Sequence, residues 1–333
     1  MKISIALCTY NGAKYLREQL ESFTAQTRLP DEVVVCDDGS TDETMNILED
    51  WTRTVPFEVR IVKNETNLGF ARNFEKAAGF CTKDVVFLSD QDDIWLPEKL
   101  ERMISFYEKD SEVLGVISDA FLVNSQNQLL PWKRSEMLRS NQLLSFFIWL
   151  PENRFPVCSG CCASYRKSFL KQLPSIPEGE SHDGWFFLLA QTEGRVQFLS
   201  EPLLRCRIHE TNTSGVQATE ESIRKSNKRA DYFYERAPGS FLYLDSKFQK
   251  FENLLETLPV IPGKKRLLKQ IRRERKHFTN RERIQRNAFK FFPLAVWEFL
   301  TGRYFDWPKP FASAFFDLKK GLRIQDFSVK EGE

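Results

Sequence analysis

Histidine is scarce in this chain, with three residues in 333, and methionine is little commoner, with four. Net charge is nearly absent at +2, which argues against a surface that is one uniform field for polyanions or polycations. No apolar run near the C-terminus approaches the roughly 20 residues of a spanning helix. The longest clean one is Phe291–Trp297, so no membrane crossing is expected. Met1-Lys2 leads straight into a strand-like Ile3–Leu7, so no secretory leader is expected. The seven cysteines are an odd number and lie mostly in apolar runs, as Cys8, Cys36 and Cys206 do. That pattern fits reduced thiols in a cytosolic protein. Cys158-x-x-Cys161-Cys162 has no second Cys/His pair at useful spacing, so small buried strand residues are a better reading than zinc ligands. The phosphate-binding patterns Gly-x-Gly-x-x-Gly and Gly-x-x-x-x-Gly-Lys are missing from the strand-to-helix turns, which counts against dehydrogenases and P-loop NTPases.

What is present is an alternation of strand and helix. Ile3–Leu7, Glu32–Cys36, Phe57–Val62 and Asp84–Leu88 read as strands. Between and after them Ala13–Thr27, a segment capped by Ser40 or Thr41, Phe70–Phe80 and Pro97–Glu108 read as helices. This order predicts an α/β protein with a mostly parallel, doubly wound sheet. Val113–Asn124, Cys158–Tyr165, Val196–Leu199 and Leu203–Ile208 suggest further strands, with a helix over Asp183–Thr192. Asn127–Phe155 is mixed in character.

Chemistry gathers at the carboxyl ends of the first four strands, where ligands of open α/β sheets bind. The turns there are Thr9-Tyr10-Asn11-Gly12, Asp37-Asp38-Gly39-Ser40, Asn67-Leu68-Gly69-Phe70-Ala71-Arg72-Asn73 and Ser89–Trp95. The last holds Asp90, Asp92 and Asp93 within four residues, which calls for a cation or a well-solvated loop. Together the turns offer hydroxyl, amide, carboxylate and guanidinium groups, an inventory suited to a nucleoside diphosphate. In order and spacing this series resembles family 2 glycosyltransferases of the GT-A fold. The likeness continues at Ser181-His182-Asp183-Gly184-Trp185 and Arg205-Cys206-Arg207-Ile208-His209. Ser-Asp-Gln-Asp-Asp-Ile-Trp and His-Asp-x-Trp look most like bacterial rhamnosyltransferases of cell-wall, capsule and O-antigen assembly.

The resemblance implies an inverting, metal-dependent transfer of one sugar from a dTDP- or UDP-sugar to a glycan or lipid-linked acceptor. It implies that Thr9 and Asp38 hold the nucleobase and its ribose and Arg72 the base edge or diphosphate, with Tyr10, Asn11, Asp90 and Gln91 also on the donor side. Asp92 and His209 would hold Mn²⁺ or Mg²⁺, Asp183 would be the general base, and His182 and Trp185 would meet the acceptor. Two positions depart from the family pattern: His182 stands where Glu is common, and Gln91 where a small residue is. From the residues alone, Asp183 also suits a helix N-terminal acid, and Trp185 suits either a core anchor or a sugar platform.

A catalytic domain is expected over residues 1–215, with a nucleotide-binding half to 125 and an acceptor-binding half from 126, then a helical extension over 216–333. Lys264–Lys290 carries twelve Lys/Arg against two Glu, a local +10 that leaves about −8 for the rest of the chain. Leu267, Ile271, Phe278 and Phe289 share a helical face there, and ten aromatics follow within Phe291–Phe316. Basic and aromatic residues so interleaved suit an anionic membrane surface over 264–316, and hence a cytoplasmic enzyme peripheral to the inner membrane. The other reading makes these aromatics part of the core or of a dimer interface. Nucleic acid is not expected, since no binding module accompanies the charge. The rivals are a UDP-hexose or N-acetylhexosamine transferase of the same fold and a non-catalytic membrane scaffold. A processive synthase would need spanning helices and Gln-x-x-Arg-Trp, and a pyrophosphorylase a Gly-rich basic first turn; neither pattern is present.

Overall fold

The computed structural model describes residues 1–135, 159–192, 195–210, 240–257, 264–287, 290–300 and 318. They fall into two compact units, one up to Glu210 built on a sheet and one from Ser240 onward built of helices.

The first unit begins as expected from the alternation. Strands β1 (Ile3–Thr9), β2 (Glu32–Asp37), β3 (Glu58–Lys63) and β4 (Val85–Ser89) are linked by helices α1 (Ala13–Thr24), α2 (Thr44–Thr52) and α3 (Phe70–Phe80). All the pairings among these strands are parallel, with β1 between β2 and β4. β1, β2 and β4 are buried along their whole length, which is why they read as unbroken apolar runs. β3 is the edge strand and is partly exposed.

The sheet continues through β5 (Ile94–Trp95), β6 (Gly115–Val123), β7 (Leu129–Lys133), β8 (Ala163–Arg166) and β9 (Val196–Arg207), in the order β3-β2-β1-β4-β8-β6-β9-β5 with β7 on β6. β8 runs antiparallel to both its neighbours, β4 and β6. Helix α4 (Lys99–Lys109) precedes β6, and α5 (Lys167–Leu170) and α6 (His182–Thr192) lie between β8 and β9.

Three features differ from the sequence reading. Val196–Leu199 and Leu203–Ile208 are one strand: Pro202 opposes Asp119 where the register with β6 shifts, so the proline marks an irregularity within the strand. The strand expected over Cys158–Tyr165 begins only at Ala163, because Gly160–Cys162 forms a 3₁₀ turn. The two-residue β5 pairs with β9 through Ile94↔Arg205 and Trp95↔Leu204, a contact no periodicity announces. Most of the mixed segment Asn127–Phe155 lies outside the described residues.

The second unit has α7 (Ser240–Thr257), α8 (Lys264–Arg286) and α9 (Phe292–Leu300). Leu267, Ile271 and Phe278 of α8 are buried, and Phe278 meets Phe248 of α7 edge-on at 5.1 Å. This stripe is therefore the core of a helical hairpin, which corrects the expectation that it meets lipid. Phe289 lies outside the described residues, as do the aromatics beyond Leu300. No described helix is long and apolar enough to cross a membrane.

Candidate active site

The ends of β1 and β2 are tied together by their own side chains. Asp37 accepts from Thr9 Oγ1 at 2.8 Å, from the Ser40 amide at 2.9 Å, and from the Ser40 hydroxyl. Asp38 accepts from Asn64 Nδ2 at 2.8 Å and from the Leu68 and Gly69 amides at 2.7 and 2.9 Å, which fixes the loop that leads to Arg72. Thr9 and Asp38 are both buried. In this structure both side chains also organise the turns to which the nucleoside role was assigned. Asn11 bridges them, adopting φ 47° and accepting from the Thr41 amide at 2.9 Å. Tyr10 remains exposed beside it. Arg72 pairs with Glu75 at 2.6 Å on the partly exposed first turn of α3, a contact weak enough for an anionic ligand to displace.

Gln91 has a definite task. Its Oε1 accepts from the Tyr10 amide at 2.8 Å and its Nε2 donates to the Tyr10 carbonyl at 3.0 Å, so one side-chain amide clamps the first turn. A Cβ at Gly12 would lie 2.1 Å from that Oε1, so the clamp needs glycine there.

The three acids of the fourth turn diverge. Asp92 Oδ2 lies 2.9 Å from His209 Nε2, across 117 residues of chain, and the His209 ring rests against Tyr15 with centroids 4.6 Å apart. Asp93 points inward and accepts from the Arg207 amide at 3.0 Å. The Arg207 guanidinium is buried. It donates to the carbonyls of Asp92 and Ser125 and to Glu18 at 3.0 Å, with its carbon 4.6 Å from the Tyr15 ring centroid. Asp93 and Arg207 therefore fasten the acidic turn to the strand that delivers His209. Burial pushes the Asp90 carboxyl well above the usual range, and the charges of Cys161, Asp92 and Asp183 push it further. The Asp92 carboxylate with the His209 imidazole fits a divalent cation, and a cation there would also ease the charge that Asp92 places on Asp90.

Among the described residues, one set of three ligand-type atoms lies within 4.8 Å of one another: Asp93, Cys161 and Cys206, all buried. Two cations already face this cluster. Lys99 donates to the Cys161 carbonyl and stands 3.7 Å from the Trp95 ring centroid, with burial bringing its ammonium down to about 8. Arg134 holds the Cys161 thiol well below its ordinary value together with hydrogen bonds, of which that from Cys162 is the largest cause. Asp93 of this cluster also bonds the Arg207 amide, so the cluster lies directly beneath the acidic turn. Cys158 lies outside the described residues.

Asp183 occupies the first turn of α6, half-buried, and accepts from the Gly184 amide at 2.7 Å. Its neighbour His182 is only 5% exposed and stacks on Phe74 with centroids 3.8 Å apart. Burial lowers its pKa, so the imidazole is neutral at pH 7. Gly160 makes room for it, since a Cβ there would lie 2.5 Å from Nε2. Trp185 is 2% exposed and donates Nε1–H to the Pro174 carbonyl at 3.1 Å. The sugar platform expected at Trp185 is therefore not available; the indole is a core anchor. Asn64 and Glu18 escaped the sequence reading, and Asp37 was read only as part of its turn. The doubled Asp at the end of β2 was a signal for Asp37, where one carboxylate turns inward.

A family model described as "Glycosyl transferase family 2" matches residues 4–173. An uncharacterized glycosyltransferase, alr2836, from Nostoc sp. is 29% identical over 233 residues, 68% of this chain and 71% of that protein. The protein named dTDP-rhamnosyl transferase RfbG of Shigella flexneri is 25% identical over 226 residues, 63% of this chain and 73% of its own length. Among solved structures, S. aureus TarS 1-349 in complex with UDP-GlcNAc aligns with a TM-score of 0.50 at 17% identity, covering 100% of this chain and 93% of the other. That likeness is one of fold.

Proposed function

The chain belongs to glycosyltransferase family 2, and on that premise we propose that it inverts the anomeric centre while moving one sugar from a nucleotide-sugar donor to a glycan or lipid-linked acceptor. Asp183 is the general base. It takes the proton of the acceptor hydroxyl as the new C–O bond forms at the anomeric carbon and the bond to the nucleoside diphosphate breaks. Asp92 and His209 are the residues that would hold Mn²⁺ or Mg²⁺, with Asp90 beside them, and a bound ion offsets charge on the departing diphosphate. The observation that carries this reading is the 2.9 Å contact of Asp92 with His209, since two groups so distant in sequence meet at the acidic turn. Asp183 lies close enough for its charge to act on Asp90.

The donor we propose is dTDP-rhamnose, supported by the motifs around Gln91 and His182 and by the relative named dTDP-rhamnosyl transferase. The catalytic domain is assigned to residues 1–215 and the helical extension to 216–333, with the enzyme on the cytoplasmic face of the inner membrane. Release of nucleoside diphosphate from dTDP-rhamnose, UDP-glucose, UDP-N-acetylglucosamine and UDP-galactose, each with and without Mn²⁺, tests the donor, the metal and the base. The expected result is metal-dependent release, fastest from dTDP-rhamnose. Asp92→Ala should lose the metal's effect. Asp183→Asn should bind donor normally and fall by ~10²–10⁴-fold in rate. Preference for a UDP-sugar overturns the donor assignment, and undiminished turnover by Asp183→Asn overturns the base. No release from any donor favours the scaffold reading.

A further inference from the structure

Helix α9 is built inside out. Its fully buried face carries a carboxylate: Glu298 bonds to His277 Nδ1 at 2.5 Å and to the Asn280 amide, both on α8, with Ala295 buried beside it. Its outward face carries Phe292, Val296 and Leu300, spaced four apart and 54%, 41% and 77% exposed, with Trp297 alongside at 41%. A helix that turns its glutamate inward and an aromatic–aliphatic stripe outward is patterned for a second apolar phase.

Cations frame the stripe. Lys276 of α8 sits 5.7 Å from the Trp297 ring centroid, and Lys290 sits 5.7 Å from that of Phe291 at the start of α9. Both lysines are exposed, as are Lys265, Lys269 and Arg283 of α8. We infer that this outward face of α9 docks on an anionic phospholipid surface, lying in the headgroup plane. Nine residues rise only about 13 Å, less than half the hydrocarbon thickness, so α9 lies on the bilayer and does not cross it. Tryptophan beside lysine is the pairing that interfaces favour, the ring at the headgroup boundary and the ammonium at the lipid phosphate. The inference narrows the contact to the stripe and its two lysines and removes the α8 stripe from it, because Leu267, Ile271 and Phe278 are core.

Co-sedimentation of the full chain with phosphatidylglycerol vesicles, without any donor, tests this apart from catalysis. Binding should be absent on phosphatidylcholine and weaken at least tenfold between 0.05 and 0.5 M salt. Lys276→Gln with Lys290→Gln should cost roughly 10- to 30-fold, about fivefold for each cation at the surface. Val296→Glu with Leu300→Glu should cost more than that while leaving the melting temperature and the oligomeric state unchanged. Full-chain protein that ignores phosphatidylglycerol at low salt overturns the inference. So does a glutamate pair that binds vesicles normally. A glutamate pair that melts several degrees lower would show the stripe covered by this chain's own residues, and one that dissociates a dimer in light scattering would show it covered by a second copy. Either result overturns the lipid assignment.

Discussion

Removing Gln91 and crowding it out should amount to the same lesion. Gln91→Ala deletes two hydrogen bonds to the Tyr10 peptide, of 2.8 and 3.0 Å. Net worth is about 0.5–1.5 kcal/mol each, and the peptide is open enough for water to replace them, so the expected loss is about 1–1.5 kcal/mol. Gly12→Ala leaves the backbone unstrained, because Gly12 sits at φ −99°, ψ 4°, which alanine adopts freely. Its Cβ would nonetheless fall 2.1 Å from Gln91 Oε1, so the amide must swing away and both bonds go with it. A further cost of a few tenths to about 1 kcal/mol comes from alanine replacing glycine at the N-cap of α1. The double variant should therefore be no worse than Gly12→Ala alone, with a coupling energy of about 1–1.5 kcal/mol. Urea unfolding of the four proteins measures it, a shared m-value being the condition for comparing them. Additivity within about 0.4 kcal/mol would refute the clamp.

Two further outcomes follow from buried carboxylates. Asp38→Asn keeps the shape but leaves only one oxygen for three donors, so it should destabilise by about 2–3 kcal/mol. Hydrogen exchange of the Leu68 and Gly69 amides should lose protection in that variant, and unchanged protection would refute the assignment. Glu32 is raised by burial, but hydrogen bonds from Ser4 and Thr82, with Lys83 nearby, outweigh that and leave its pKa below the ordinary value. A depressed carboxylate contributes stability above its unfolded pKa of about 4.3, and the contribution is lost as pH falls through the lower folded value. Glu32→Gln should thus be clearly less stable than the parent at pH 7, with the gap narrowing as pH falls below about 4.3; a gap in urea midpoints that stays constant as pH is lowered contradicts this.

The parallel half of the sheet was legible because β1, β2 and β4 are buried on both faces, so their sequences are apolar without interruption. The meeting of Asp92 with His209 was legible only through the family likeness, since no local pattern links residues 117 apart. Which acid faces out was not. Asp92 and Asp93 are the same residue type one position apart, and the inward one is chosen by Arg207, whose partners come from three other segments. Trp185 illustrates the same limit: a tryptophan on an apolar helix suits core and platform equally until the Pro174 carbonyl takes its N–H. In α8 the apolar stripe was visible, but the helix that covers it was not, because pairing between helices leaves no periodic trace.

The insertion of β8 between β4 and β6 bears on how the chain folds as it is synthesised. β4 has β1 on one side from the start, but its other neighbour is β8, which begins at Ala163. At roughly 5–20 residues per second, about 4–15 s of translation separate the completion of β4 from the arrival of its partner. Through that interval Val85–Ser89 is an apolar strand with one unpaired side, the kind of edge that recruits other chains. Nascent chains halted between the end of β4 and Arg166 hold the parallel half of the sheet with an open flank. The ribosome thus carries this enzyme through a stage with an open sheet edge before His209, the residue proposed to hold the metal, has been made.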